Sequence, residues 1–136
     1  MRLERNSDEW FFALDSYFAE REGVPFSWGG QDCCTFAADW VLRATDTDPM
    51  SDLRGLDTAL SAHRALDDAG GMLAAVDARM GPHIPGPFAQ AGDIAMIELD
   101  NGSKALTVCI GAFLAVPSDA GLVLVPIHRA EATWRV

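Results

Sequence analysis

The chain has 136 residues, 49% of them hydrophobic, and sets 20 acidic side chains against 10 basic ones for a net charge of −10. That length and apolar content describe one globular domain, residues 1–136, and exclude a disordered chain. The acidic balance, with Lys104 the only lysine, excludes the basic surface a nucleic-acid grip requires and gives no footing on an anionic membrane.

No apolar run approaches the roughly 20 residues needed to span a bilayer, so membrane insertion is not expected. Residues 1–5 lead straight into an acidic helix with no secretory h-region, which reads as a protein made in the cytoplasm. Cys33, Cys34 and Cys109 are an odd count, and a disulfide framework is not expected. Cys33 and Cys34, adjacent on a helix, are expected to point in different directions and not to bridge.

In chain order, Ser7, Asp8 and Glu9 open the first helix as a capping residue followed by acids. Trp10, Phe11, Leu14 and Phe18 form its apolar face, Gly23 ends it, and Pro25 prevents its return. Residues 24–30 are a loop. The next helix runs over 33–43. Asp32 is placed to cap it, accepting the free N–H groups of its first turn. Cys33, Phe36, Ala37, Trp40, Val41 and Ala44 recur at helical spacing and make one continuous buried stripe.

Residues 45–49 form a solvated turn, since their acids lack the glycine and terminal glutamate of an EF-hand loop. A short helix over 57–68 packs through Leu60, Leu66 and its alanines, with His63 on its polar face. Another over 72–80 turns Leu73, Val76 and Met80 inward. Residues 81–90, with Pro82, Pro85, Pro87 and His83, read as a connecting loop.

From Gly92 the period changes. Residues 93–99 read as a strand, the Asn101-Gly102 pair as a hairpin turn, and 106–110, 112–116 and 122–127 as three further strands, with an irregular tail or helical turn over 129–134. Helices first and an antiparallel meander afterwards make an α+β layout. The expected architecture is a central cysteine-bearing helix packed on an antiparallel sheet of about four strands.

Cys33 at the first helical position sits in the positive end of the helix dipole, which favours thiolate. Gly29 and Gly30 just before it let the backbone come close and offer N–H groups to a developing oxyanion. This is how a cysteine nucleophile is built; the alternative is an inert buried cysteine, the commoner fate of the residue type.

The stretch FSWGGQDCCTFAADWV resembles the cysteine motif of the NlpC/P60 superfamily of papain-like cell-wall peptidases, which runs Tyr-x-x-Gly-Gly and then Asp-Cys-Ser-Gly-Phe. The whole chain resembles small phage and prophage proteins of this fold, the DUF6950 type. Its ending, Gly121-Leu122-Val123-Leu124-Val125-Pro126 and Trp134-Arg135-Val136, is similar to theirs. The match to active peptidases rests on Asp32, Cys33 and Phe36, with an echo at Gly92-Asp93.

That resemblance implies a catalytic histidine at the start of the strand after Gly92-Asp93. Here the position falls near Ala105 or Leu106, and neither takes a proton. Of the three histidines, His63 and His83 match no motif, and His128 at the end of the last strand is the candidate displaced base. General-base assistance typically supplies 10²–10⁴-fold. Adjacent cysteines do not follow zinc-ligand spacing, no phosphate loop follows Trp28-Gly29-Gly30, and no cofactor or metal is expected.

Two readings follow. One is a peptidase-like structural protein without competent catalysis, carried at the tail tip of a virion. Its acidic surface and exposed aromatics would meet hub, distal-tail or fibre-associated proteins. The other is an active cysteine hydrolase cutting peptidoglycan peptide, with Cys33 as nucleophile and His128 as base. The missing strand histidine favours the first.

Overall fold

The computed structural model describes residues 4–136; residues 1–3, where the expected lead into the first helix begins, lie outside the described residues. Four helices come first, α1 Trp10–Arg21, α2 Cys33–Thr45, α3 Ala59–Asp68 and α4 Met72–Met80. Six strands follow, β1 Ile84–Pro85, β2 Ile94–Glu98, β3 Lys104–Cys109, β4 Phe113–Ser118, β5 Gly121–Pro126 and β6 Ala132–Trp134. They form one antiparallel sheet in the order β1-β6-β2-β3-β4-β5. No helix among the described residues is long and apolar enough to cross a membrane.

The four-strand meander is present as β2 to β5, and two strands extend it. The sequence reads residues 81–90 as a connector and the tail as irregular. Instead Ile84 pairs with Thr133, and β6 fills the slot between β1 and β2, with Trp134 opposite Ile94. Neither segment carries its own pattern: β1 has two residues and β6 three, and each exists only because a distant partner supplies its hydrogen bonds. Gly86 makes the crossing near β1 tight, since a Cβ there would sit 1.9 Å from the Ala130 carbonyl oxygen.

The core lies between α2 and one face of the sheet. Phe36, Ala37, Trp40, Val41 and Ala44 are buried as the spacing requires. They pack on Ile94, Met96, Leu106, Val108, Ala132 and Trp134. Each fully buried large side chain contributes roughly 1.5–3 kcal/mol. The opposite face, with Ala95, Ile97, Ala105, Cys109, Leu114 and Val125, is covered by Ala89, Ile127 and Ala130. Burial on both sides explains why the central strands read as continuous apolar runs with little alternation.

Three helical faces differ from expectation. On α1 Leu14 is buried and Trp10 and Phe18 pack on the core as expected, Tyr17 joins them, and Phe11 is 47% exposed. The helix is turned by the Tyr17 hydroxyl, which donates to the Phe36 carbonyl at 2.6 Å. α3 has no fully buried side chain; Leu66 and Ala65 pack on the core as expected, while Leu60 lies 61% exposed. On α4, Met72, Ala75, Val76 and Met80 are buried and Leu73 falls outside the stripe.

Both sheet edges are blunted. β1 is short and ends on Pro85. The outer side of β5 is capped where the Leu122 N–H donates to the Glu22 carbonyl at 2.8 Å, and Pro126 ends the strand. Edges so closed resist pairing with another chain.

Candidate functional site

Asp32 organises the start of α2. Its Oδ1 accepts the Thr35 N–H at 2.9 Å, and its Oδ2 accepts both the Thr35 hydroxyl at 2.9 Å and the Gly29 N–H at 2.8 Å. One buried carboxylate therefore caps the helix and ties the glycine loop to it. Gly29 has a φ of 79°, which suits glycine.

The oxyanion role expected of the glycines meets competition. The Gly29 N–H is given to Asp32, and the Gly30 N–H to the Ser27 carbonyl at 3.2 Å. Both amides serve the loop itself.

Cys33 and Cys34 are free, partly buried thiols. Both line one cavity of about 70 Å³, together with Trp28, Asp32, Leu56, Ala62, His63 and Lys104. The adjacent cysteines, expected to point apart, thus share a space, because the cavity wraps the end of the helix where successive side chains still reach the same opening. They are unbridged.

The environment splits the two thiols. The Cys34 thiol beside it and the backbone of Leu106 hold the Cys33 thiol below its ordinary pKa, against the opposing effect of burial. Cys34 is pushed well up, first by Cys33 and then by burial. Each thiol acts on the other, and loss of the first proton makes the second harder to remove. Cys109 lies on the far face of the sheet, donates to the Gly111 carbonyl at 3.4 Å, and is raised by burial.

The contact with Leu106 places β3 where the sequence expects it. The strand position at which a base would stand holds Ala105 and Leu106, both buried and aliphatic; the Leu106 backbone meets the Cys33 thiol, and the Ala105 side chain packs with the opposite face of the sheet. Thr107 next to them donates its hydroxyl to the Ala95 carbonyl at 3.0 Å.

His128 does not line the cavity. It is exposed on a 3-10 turn, Ile127–Arg129, which carries the chain from β5 back to β6. Its neighbours Ile127 and Ala130 pack on the sheet face opposite α2, so the expected juxtaposition with Cys33 is not made. The histidine in the cavity wall is His63, read from sequence as a surface residue; its ring meets Trp28 edge-on at 6.3 Å. It makes no hydrogen bond to either thiol. A helical histidine among polar neighbours gives no sign of the cavity it faces, because Trp28 and Cys33 reach it through the tertiary fold.

The Gly92-Asp93 pair proves to be a clasp. The Trp40 indole donates to the Gly92 carbonyl at 2.8 Å. Asp93, 1% exposed, accepts from Arg135 at 2.6 Å, from the Gln90 N–H at 2.9 Å and from the Val136 N–H at 3.3 Å. It fixes the end of the chain to the start of β2. His83 lies elsewhere, its Nδ1 3.0 Å from Asp77. That carboxylate also accepts from the Trp134 indole at 2.9 Å.

The sequence profile of a family described as "Domain of unknown function (DUF6950)" matches residues 5–136. Among solved structures, the chain is similar to the NlpC/p60 domain of the peptidoglycan hydrolase SagA. That likeness has 17% identity and a TM-score of 0.59, and covers 93% of this chain and 98% of the other. The fold is accordingly of the NlpC/P60 type. A search of curated protein sequences finds no match.

Proposed function

The chain belongs to the DUF6950 family, and from that premise we propose that it is an assembly protein of a phage tail tip, built on a peptidase fold whose cysteine no longer runs hydrolysis. The observation that carries this reading is that β3 brings no proton-accepting side chain to the nucleophile position: Cys33 meets the backbone of Leu106, and Ala105 and Leu106 are aliphatic where a working dyad needs a base. The commitment of the Gly29 and Gly30 amides to their own loop adds to it. Without a base the site forgoes about 10²–10⁴-fold in rate. The tail-tip placement is supported by the resemblance to small phage and prophage proteins. The net charge of −10 and the exposed, mutually packed Phe11 and Phe12 rings are features such a protein could turn to neighbouring tail proteins.

One observation favours a second reading, hydrolysis of cell-wall peptide, the activity named for the SagA domain: His63 lines the same cavity as Cys33.

Purified protein incubated with peptidoglycan sacculi separates the two. The assembly reading expects the wild type and Cys33→Ala to release the same background of soluble fragments. Fragment release that disappears in Cys33→Ala and in His63→Ala would establish the hydrolase and overturn the first reading. Mass spectrometry of purified virions from a producing host checks the location; absence of the chain from intact tails would refute it.

A further inference from the structure

We propose that Cys33 and Cys34 form a two-thiol site for a single soft, three-coordinate centre of the trivalent arsenical class. This inference stands apart from whether the site hydrolyses anything.

Four observations converge on it. The thiols are sequence neighbours, both free and partly buried, and both face one cavity. Their Cα atoms, joined by a trans peptide, are held about 3.8 Å apart, whereas a relaxed disulfide wants roughly 4.4–6.8 Å. Direct oxidation to a bridge is therefore strained, while a single atom between the sulfurs lets them stay at non-bonded separation. The cavity, at about 70 Å³, has room for a few water-sized groups, which suits arsenous acid. Finally, the donor set selects the geometry. Among the described residues no group of three or more His, Cys, Asp or Glu side chains is placed to hold a metal ion. A tetrahedral zinc ion would lack its ligands, but a pyramidal arsenic(III) needs only two thiolates and keeps one oxygen. Thiolates also prefer soft centres.

The exchange balances without electron transfer. Two S–H groups and As(OH)₃ give two As–S bonds, one retained hydroxyl and two waters. Cys33, the more readily ionised thiol, attacks first, and the proton of Cys34 leaves with the second water. His63 in the cavity wall can hydrogen-bond the retained hydroxyl.

The test uses sodium arsenite as the probe, with the full chain kept reduced by a phosphine. Native mass spectrometry is expected to show one arsenic per chain. X-ray absorption at the arsenic edge should find two sulfur neighbours and one oxygen. The adduct should be stripped by a dithiol and resist the same concentration of a monothiol. Cys33→Ser and Cys34→Ser should each bind at least tenfold more weakly and lose monothiol resistance, while Cys109→Ser behaves as wild type. One sulfur neighbour in the wild type, no adduct, or an adduct that depends on Cys109 would overturn the proposal. The absorption measurement needs no variant and decides the matter even if a serine substitution unfolds the chain.

Discussion

Replacing Asp32 by alanine separates the structural role of the motif from its chemistry. In the folded chain its carboxylate is 7% exposed and takes three hydrogen bonds, from the Thr35 N–H, the Thr35 hydroxyl and the Gly29 N–H. Loss of an N-cap alone costs about 1 kcal/mol. Leaving a further buried donor unpaired costs about 1–3 kcal/mol; the Thr35 hydroxyl is such a donor and is counted at the low end, while the Gly29 N–H lies in an exposed loop and can turn to water. Loss of a negative charge at the helix N-terminus adds about 0.3–1 kcal/mol. The sum is about 2.5 kcal/mol, equivalent to a fall in Tm of about 10 °C at about 4 °C per kcal/mol for a domain of this size. Asp32→Asn keeps an acceptor for Thr35 but turns an amide group towards donors, so its loss should be about half as large. Urea unfolding followed by circular dichroism measures both. A loss below about 0.5 kcal/mol for Asp32→Ala, or equal losses for the two variants, would show that the carboxylate is not the tie between loop and helix. Cys33→Ala, by contrast, should change stability by less than about 1 kcal/mol, since the thiol is only partly buried and alanine suits a helix.

Two further outcomes follow from the same geometry. Alkylation of Cys33, followed by peptide mass spectrometry across pH, should show a midpoint below the ordinary thiol value of about 8.5. It should rise in Cys34→Ala, because the neighbouring thiol is the chief cause of the lowering, and stay put in His63→Ala and His128→Ala; a rise in either histidine variant instead would identify a working imidazole partner. Asp93→Ala should cost about 1–2 kcal/mol in urea unfolding, chiefly the penalty for orphaning the buried Val136 N–H, since Gln90 is exposed and its N–H can turn to water. The half-exposed Arg135 adds little because it can turn to water, and a loss under about 0.5 kcal/mol would mean the clasp is not holding the chain end.

What could be read in the sequence was what local chemistry dictates. The cap at Asp32, the α2 stripe and the Asn-Gly hairpin depend on residues a few positions apart, and all three stand in the structure. The antiparallel meander followed from the change of period after Gly92. What escaped depends on distant partners. β6 is three residues long and owes its existence to β1 and β2, which no window of sequence around Thr133 contains. On α1 the apolar face was legible at Trp10, Leu14 and Phe18, but Tyr17 was missed because its ring is buried by way of a hydroxyl that finds an acceptor at Phe36, and Phe11 stands outside the face. At the site, the aliphatic position opposite Cys33 was legible from the spacing to Gly92-Asp93. His63 was not, because nothing near it in the chain marks the cavity wall.

The likeness to a peptidase motif divides into two parts with different causes. Asp32, Phe36 and Trp40 are explained by folding alone: a cap, a buried ring and an indole bonded to Gly92. Any chain that sets a helix end against this sheet has use for them, so their presence says nothing about hydrolysis. Cys33 is different. It is partly buried and bridges nothing, and the one backbone group of the sheet it meets is that of Leu106. Its reactivity is set by a neighbour that peptidase chemistry does not require, a second thiol in the same cavity, and its strand partner is a leucine backbone. Whatever keeps a thiol at position 33 must therefore act on the Cys33–Cys34 pair, and the arsenite experiment interrogates that pair directly, where an assay for hydrolysis interrogates Cys33 alone.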